Sequence, residues 1–170
     1  MKSVMFFSML SLLAISSFAQ GDKKAPPSPP AKAHFTSSTG LTINIDYSQP
    51  SVKGRTIGKD LEPLPGKVWR TGANAATVFE VNKDVKVEGK NLPAGKYGLF
   101  TIANGSDWTI IFNKTSNQWG AFSYKEADDA LRVNVKSSKA NPFAEKFTIN
   151  VVAGKVTLLW GDNEVSFKVE

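Results

Sequence analysis

Residues 41–47 read Leu-Thr-Ile-Asn-Ile-Asp-Tyr, with every second side chain apolar. That period of two describes a strand with one face in a core and one in solvent. Similar short runs recur along the chain, at 67–70, 77–82, 84–88, 96–102, 108–112, 131–135, 146–152, 155–160 and 164–169, with another at 33–36. Turn chemistry separates them: Ser37-Ser38-Thr39-Gly40, Leu92-Pro93-Ala94-Gly95, Asn104-Gly105, Ala153-Gly154 and Gly161-Asp162-Asn163. No window of a dozen residues carries a helical stripe, and the best helical turn lies at 125–130. The pattern predicts an all-β fold with little helix, an antiparallel β-sandwich or a jelly-roll-like barrel.

The N-terminal residues belong to a different regime. Lys2 precedes an apolar run from Val4 to Ile15, and Ser17-Phe18-Ala19 supplies a small-x-small cleavage site. This reads as a signal peptide over 1–19, too short for the roughly 20 apolar residues a spanning helix needs. No Cys follows it to carry a lipid anchor, and no later stretch is long and apolar enough to be a transmembrane segment. Residues 20–30 are proline-rich and read as a linker. One β-domain over 31–170 remains. The expected location is exported: the periplasm, the cell surface or the extracellular space.

Composition narrows the chemistry. With no Cys in the chain, disulfides, thiol catalysis and thiolate metal sites are all excluded. His34 is the single His, which argues against a catalytic dyad or a His-rich metal centre. The net charge is +6, yet only Arg55, Arg70 and Arg132 are Arg among 21 basic residues. The Lys residues are scattered, as on solvated β-faces and edges. A nucleic-acid footprint would cluster them with exposed aromatics, so no nucleic-acid partner is expected. Asp107, Asp128-Asp129 and Asp162 sit in turn contexts, and no calcium-loop pattern of alternating oxygens is present. The sequence nominates no catalytic residue, no metal ligand and no cofactor.

Residues 66–74, Gly-Lys-Val-Trp-Arg-Thr-Gly-Ala-Asn, form the densest recognition-type stretch. They follow a glycine- and proline-punctuated loop at 51–66, whose length predicts a specific shape or a functional role. Arg offers a planar two-pronged donor that Lys cannot. Trp69 and Arg70, adjacent in a strand, should point to opposite faces. Trp119, flanked by Gln118 and Gly120 outside any clean strand, is a candidate ligand surface, whereas Trp108 and Trp160 belong by default to the core. The ligand-binding candidates are therefore Arg55, Trp69, Arg70, Asn74, Gln118 and Trp119. We expect the 51–66 loop to fold back so that Arg55 nears Arg70, with Asn74 and Gln118 in the same neighbourhood. Asp46, Asp60 and Glu62 are the internal carboxylates that could neutralise the two guanidinium groups.

Several of these motifs carry a family resemblance. Ser48-Gln49-Pro50 with Lys53-Gly54-Arg55, the 66–74 stretch, Leu92-Pro93-Ala94-Gly95 with Tyr97, Leu99 and Phe100, Trp108-Thr109 with Ile111-Phe112-Asn113, and Gln118-Trp119-Gly120 resemble the domain of unknown function 2911 family from about Ser28 to Glu170. The resemblance implies a secreted bacterial β-domain, mostly from Bacteroidetes, and no activity. The family commonly has Glu directly after the Asn of the 66–74 motif, where this chain has Ala75. The reading that follows is a non-enzymatic exported module for a small polar or carbohydrate ligand. Its alternatives are a structural or protein-interaction module of the bacterial envelope, and a carboxylate-based hydrolase.

Overall fold

The computed structural model describes residues 27–170. The expected signal peptide and most of the expected linker lie outside the described residues. Ten strands follow in order: β1 (Pro30–Thr36), β2 (Thr42–Ser48), β3 (Val68–Trp69), β4 (Thr77–Val81), β5 (Val85–Val87), β6 (Lys90–Leu92), β7 (Gly95–Asn104), β8 (Asp107–Asn113), β9 (Asp129–Val152) and β10 (Lys155–Lys168). A single 3₁₀ turn, Glu126–Asp128, sits inside the expected helical turn. The all-β expectation holds.

Eight strands form one antiparallel sheet in the order β1-β2-β4-β7-β8-β9-β10, with β3 paired to β7; β5 and β6 form a separate hairpin. Alternation decides which side chains face inward. Ile43, Ile45 and Tyr47 of β2, Phe79 and Val81 of β4, and Ile110 and Phe112 of β8 are all buried. Their rings meet edge to face, Phe79 on Phe112 at 4.9 Å and Phe112 on Phe167 at 5.9 Å. That geometry sets the positive ring edge against a negative face.

The sheet curls because β9 serves two sets of neighbours. Its first part pairs with β8. Its later part pairs with β10 and reaches the chain that leaves β2: Val52 N–H donates to Glu145 O, and Phe147 N–H to Pro50 O, both at 2.9 Å. The hydroxyl of Tyr47 accepts from Ile149 N–H at 3.1 Å. At the other end Lys86 and Glu170 exchange two N–H···O bonds. These contacts draw the sheet into a half-barrel around one core.

Two features depart from the sequence reading. Gly161-Asp162-Asn163 does not turn the chain; β10 runs through it, with register shifts on either side of Gly161. Gly161 has φ +60, and a Cβ there would stand 2.5 Å from Ile57 Cδ1, so the glycine bends the strand and admits the 51–66 loop. The runs expected as separate strands at 131–135 and 146–152 are accordingly one strand. The expected run at 84–88 is β5, and its partner β6 is new, the two joined by a turn at Glu88 (φ 47) and Gly89 (φ 77), a pair of left-handed residues whose twist matches the strands.

Candidate functional site

The 66–74 stretch spends most of its polar groups internally. Trp69 is 1 % exposed, stacks edge-on to Phe147 at 5.1 Å, and donates its indole N–H to Gly72 O at 3.0 Å. It belongs to the core, not to a ligand surface. Arg70 points the other way, as its neighbour's burial requires, and pairs with Glu62 of the loop. Glu62 is itself fixed, since its carbonyl accepts the Trp160 indole N–H at 2.9 Å. Arg70 Nε is buried with no hydrogen-bond partner among the described residues, beside a cavity of about 60 Å³ lined by Pro50, Leu61, Trp69 and Trp160 among others. That volume exceeds what a single ordered water needs.

Arg55 does not join Arg70. Its guanidinium donates to Ser51 O at 2.8 Å and Val52 O at 3.2 Å, tying down its own loop. It lines a separate cleft of about 250 Å³ with Thr56, Ile57, Phe143, Asp162 and Asn163. The two arginines therefore serve different cavities. No shared anion is required between them, and the expected single cluster does not form.

Asn74, Gln118 and Trp119 do come together. Ala76 N–H donates to Gln118 O at 2.9 Å and Gly120 N–H to Asn74 O at 3.1 Å, and these bonds flank an antiparallel bridge between Ala75 and Trp119. Asn74 adopts φ 61, a left-handed conformation that Asn tolerates. Its amide donates to Ser28 O at 3.2 Å and Ser48 Oγ at 3.4 Å, which anchors the start of the domain. Gln118 is 6 % exposed, donates to Thr115 O at 2.6 Å, and leaves Oε1 buried without a partner among the described residues. Trp119 is 68 % exposed.

Residues 114–128 lie over the outer face of β7 and β8, where Ala121 and Tyr124 pack on Phe100 and Ile111. Gly98 permits this approach, because a Cβ there would meet Thr115 O at 2.9 Å. Asn113, fully buried, is the hub. Its amide donates to Asp129 Oδ1 at 2.8 Å and Lys125 O at 3.0 Å, and its oxygen accepts from Thr115 N–H and the Gln118 amide. Asp129 also accepts from the Tyr124 hydroxyl at 2.7 Å and Arg132 Nε at 2.6 Å. Burial, reinforced by that bond to Asp129, pushes the Tyr124 phenol up to about 12. Desolvation opposes the Arg132 charge, but its bonds to Asp129 and Tyr124 more than offset this and raise its pKa. Phe122, on the same segment, is 89 % exposed. The sequence reading treats Asp129 only as a turn residue and Arg132 only as one of three Arg, and it does not single out Tyr124 or Phe122. An aromatic three residues past Trp119, outside any alternating run, was the available signal for Phe122.

Beside the Ala75–Trp119 bridge the outer sheet face holds a pocket of about 210 Å³, lined by Asp46, Tyr47, Ser48, Ala75, Ala76 and Val78. His34 stands elsewhere on the exposed side of β1, with its ring nitrogens beside Asn44 Oδ1 (2.6 Å) and Thr36 Oγ1 (3.0 Å). Among the described residues no group of three or more His, Cys, Asp or Glu side chains is placed to hold a metal. No helix among them is long and apolar enough to cross a membrane. A family model described as a protein of unknown function (DUF2911) matches residues 28–169. No curated protein and no solved structure matches the chain.

Proposed function

The chain belongs to the DUF2911 family, as its motifs suggested, and we propose that this member is an exported, non-enzymatic module that binds a small polar or carbohydrate ligand on its outer sheet face. One observation carries the reading. Trp119 and Phe122 stand 68 % and 89 % exposed on a segment whose neighbouring polar groups are fastened to the sheet. Two large apolar side chains exposed three residues apart on one short segment are candidates for an interaction surface. A platform held in place before the ligand arrives has little ordering entropy left to lose on binding. Trp pairs an apolar ring with a polar edge, which suits the C–H face and hydroxyl rim of a sugar.

The test uses the position of the tryptophans. Trp69, Trp108 and Trp160 are buried, so a change in indole emission on adding a ligand reports chiefly Trp119. An oligosaccharide and small-acid panel should contain a compound that shifts that emission and raises the melting temperature. Saturation at a hundred times the dissociation constant adds about 2.7 kcal/mol. A panel with neither response removes the proposal and leaves the protein-interaction alternative, which would use the same two aromatics. The hydrolase alternative draws no support from the geometry. Glu126 and Asp129 meet at Arg132, while Asp46, Glu62, Glu80 and Asp107 each hold a cationic partner.

A further inference from the structure

We infer that the outer-face pocket at Asp46, Ser48, Ala75 and Val78 is the specificity pocket of this site, and that it takes one ring of an uncharged sugar through a pair of neighbouring hydroxyls. The inference rests on the binding-module reading above and names its ligand class. The pocket and the platform are joined by backbone. Ala75 lines the pocket and is the antiparallel bridge partner of Trp119. Directly opposed residues in such a pair carry their side chains on the same face, with Cβ atoms about 4.5–5.5 Å apart. The Trp119 ring therefore rises from the side of the ladder on which the pocket opens.

The pocket's chemistry divides cleanly. Ala75, Ala76 and Val78 make an apolar floor, and Asp46 and Ser48, two apart on β2, make a polar wall on one face. Across the β1–β2 ladder Lys32 is the register partner of Asp46, and its ammonium lies 2.5 Å from Asp46 Oδ1. The two side chains remain 80 % and 54 % exposed, so both heads have capacity to spare toward a ligand. A carboxylate only accepts hydrogen bonds and an ammonium only donates them. Lys32 is not among the lining residues but stands beside Asp46 at the rim, so a hydroxyl inside the pocket donates to Asp46 and a neighbouring one reaching over the rim accepts from Lys32. Ser48 Oγ already accepts from the Asn74 amide, which leaves its proton free to donate. The charges of Lys32 and Asp46 cancel locally, so a neutral ligand leaves the pair balanced. A uronate seated in the pocket would set its carboxylate against Asp46, and one turned outward to Lys32 would compete with Asp46 for that ammonium, so either pose is disfavoured relative to a neutral ring. The volume, about 210 Å³, equals about seven waters at their share of the liquid and accommodates one hexose ring.

The experiment titrates the full-length chain with neutral hexoses, their short oligomers and the matching uronates, following indole emission. Neutral sugars should produce a saturable change, and uronates should bind at least about ten-fold more weakly. Asp46→Asn should weaken the neutral sugar by about ten-fold or more, the usual scale for a lost hydrogen bond to a charged group. Ala75→Leu, which fills the pocket, should abolish binding while thermal melting shows the fold intact. Binding that is lost in Trp119→Ala but kept in both Asp46→Asn and Ala75→Leu overturns the pocket assignment and leaves the aromatic platform standing. Preference for uronates overturns the assignment as well. If no sugar of either kind binds, the pocket and the carbohydrate reading fall together.

Discussion

Residues 51–66 and residues 114–128 are two irregular segments laid over the same sheet, and each is fastened by an arginine–carboxylate pair. In the first the pair is Arg70 with Glu62; in the second it is Arg132 with Asp129. They differ in where the aromatic rings go. The first segment brings Glu62 against Trp160 and Arg70, next to Trp69, and both indoles end in the core at 1–2 % exposure. The second hides its polar hub, Asn113 and Gln118, and leaves Trp119 and Phe122 in solvent. Density of recognition-type residues is therefore a poor guide to a surface. A buried Trp with its N–H satisfied by Gly72 stabilises a fold, whereas an exposed one on a fastened segment is available to a ligand.

The sharpest test of that contrast is Trp69→Ala. Removing a fully enclosed indole leaves a large cavity, and such truncations cost about 3–5 kcal/mol. Urea unfolding should show an unfolding free energy lowered by that amount, with the midpoint falling in proportion. A loss below about 1 kcal/mol would mean that Trp69 is not the core residue its burial makes it, and the 66–74 stretch would return as a surface candidate.

A smaller effect separates the two anchors by pH. Tyr124 has its phenol raised from 10 to about 12, first by burial and then by the hydrogen bond to Asp129. The folded chain thus holds this proton more tightly than the unfolded chain does. Its contribution is complete below about pH 10 and is lost as pH climbs toward about 12, because the unfolded state alone then gains by ionising. Urea stability should fall across that window. Tyr124→Phe should reduce the dependence, leaving the part due to Tyr97, whose phenol is also raised by burial and by Asp84, while keeping the ring on Phe100, which lies 5.0 Å away between centroids. A wild-type profile that is flat through the window would show that the 114–128 segment is not fastened through this hydroxyl.

The strands were legible because their residues alternate, as at Ile43, Ile45 and Tyr47. Gly161-Asp162-Asn163 misled because a glycine-led bulge and a hairpin turn ask for the same residues; only the continuous pairing of β9 tells them apart. Of the β5–β6 hairpin, β5 falls within the expected run at 84–88, but β6 escaped since three residues are too few to show a period. In the candidate site, Trp119 was visible as an aromatic outside the pattern, and Glu62 was among the carboxylates weighed for Arg70. The Asn113–Asp129–Tyr124–Arg132 network was not, because its members sit up to 19 positions apart and meet only through the β8–β9 register, in which Asn113 faces Asp129. Arg55 and Arg70 looked like partners for the opposite reason. They share a residue type and a neighbourhood in sequence, but the loop carbonyls of Ser51 and Val52 claim one of them and Glu62 the other.

The smallest expected effect on stability carries the most functional weight. Trp119→Ala removes a side chain that is 68 % exposed, and its backbone bridge to Ala75 does not depend on the ring. Surface substitutions of this kind change stability by no more than about 0.5 kcal/mol. The same change should abolish any ligand-induced emission shift, since the three remaining indoles are enclosed. Near-wild-type melting combined with lost binding would complete the contrast with Trp69→Ala, whose cost is all in the fold. Should Trp119→Ala instead destabilise by more than about 2 kcal/mol, the ring must be packing on the sheet in solution, and the outward-facing platform would have to be abandoned.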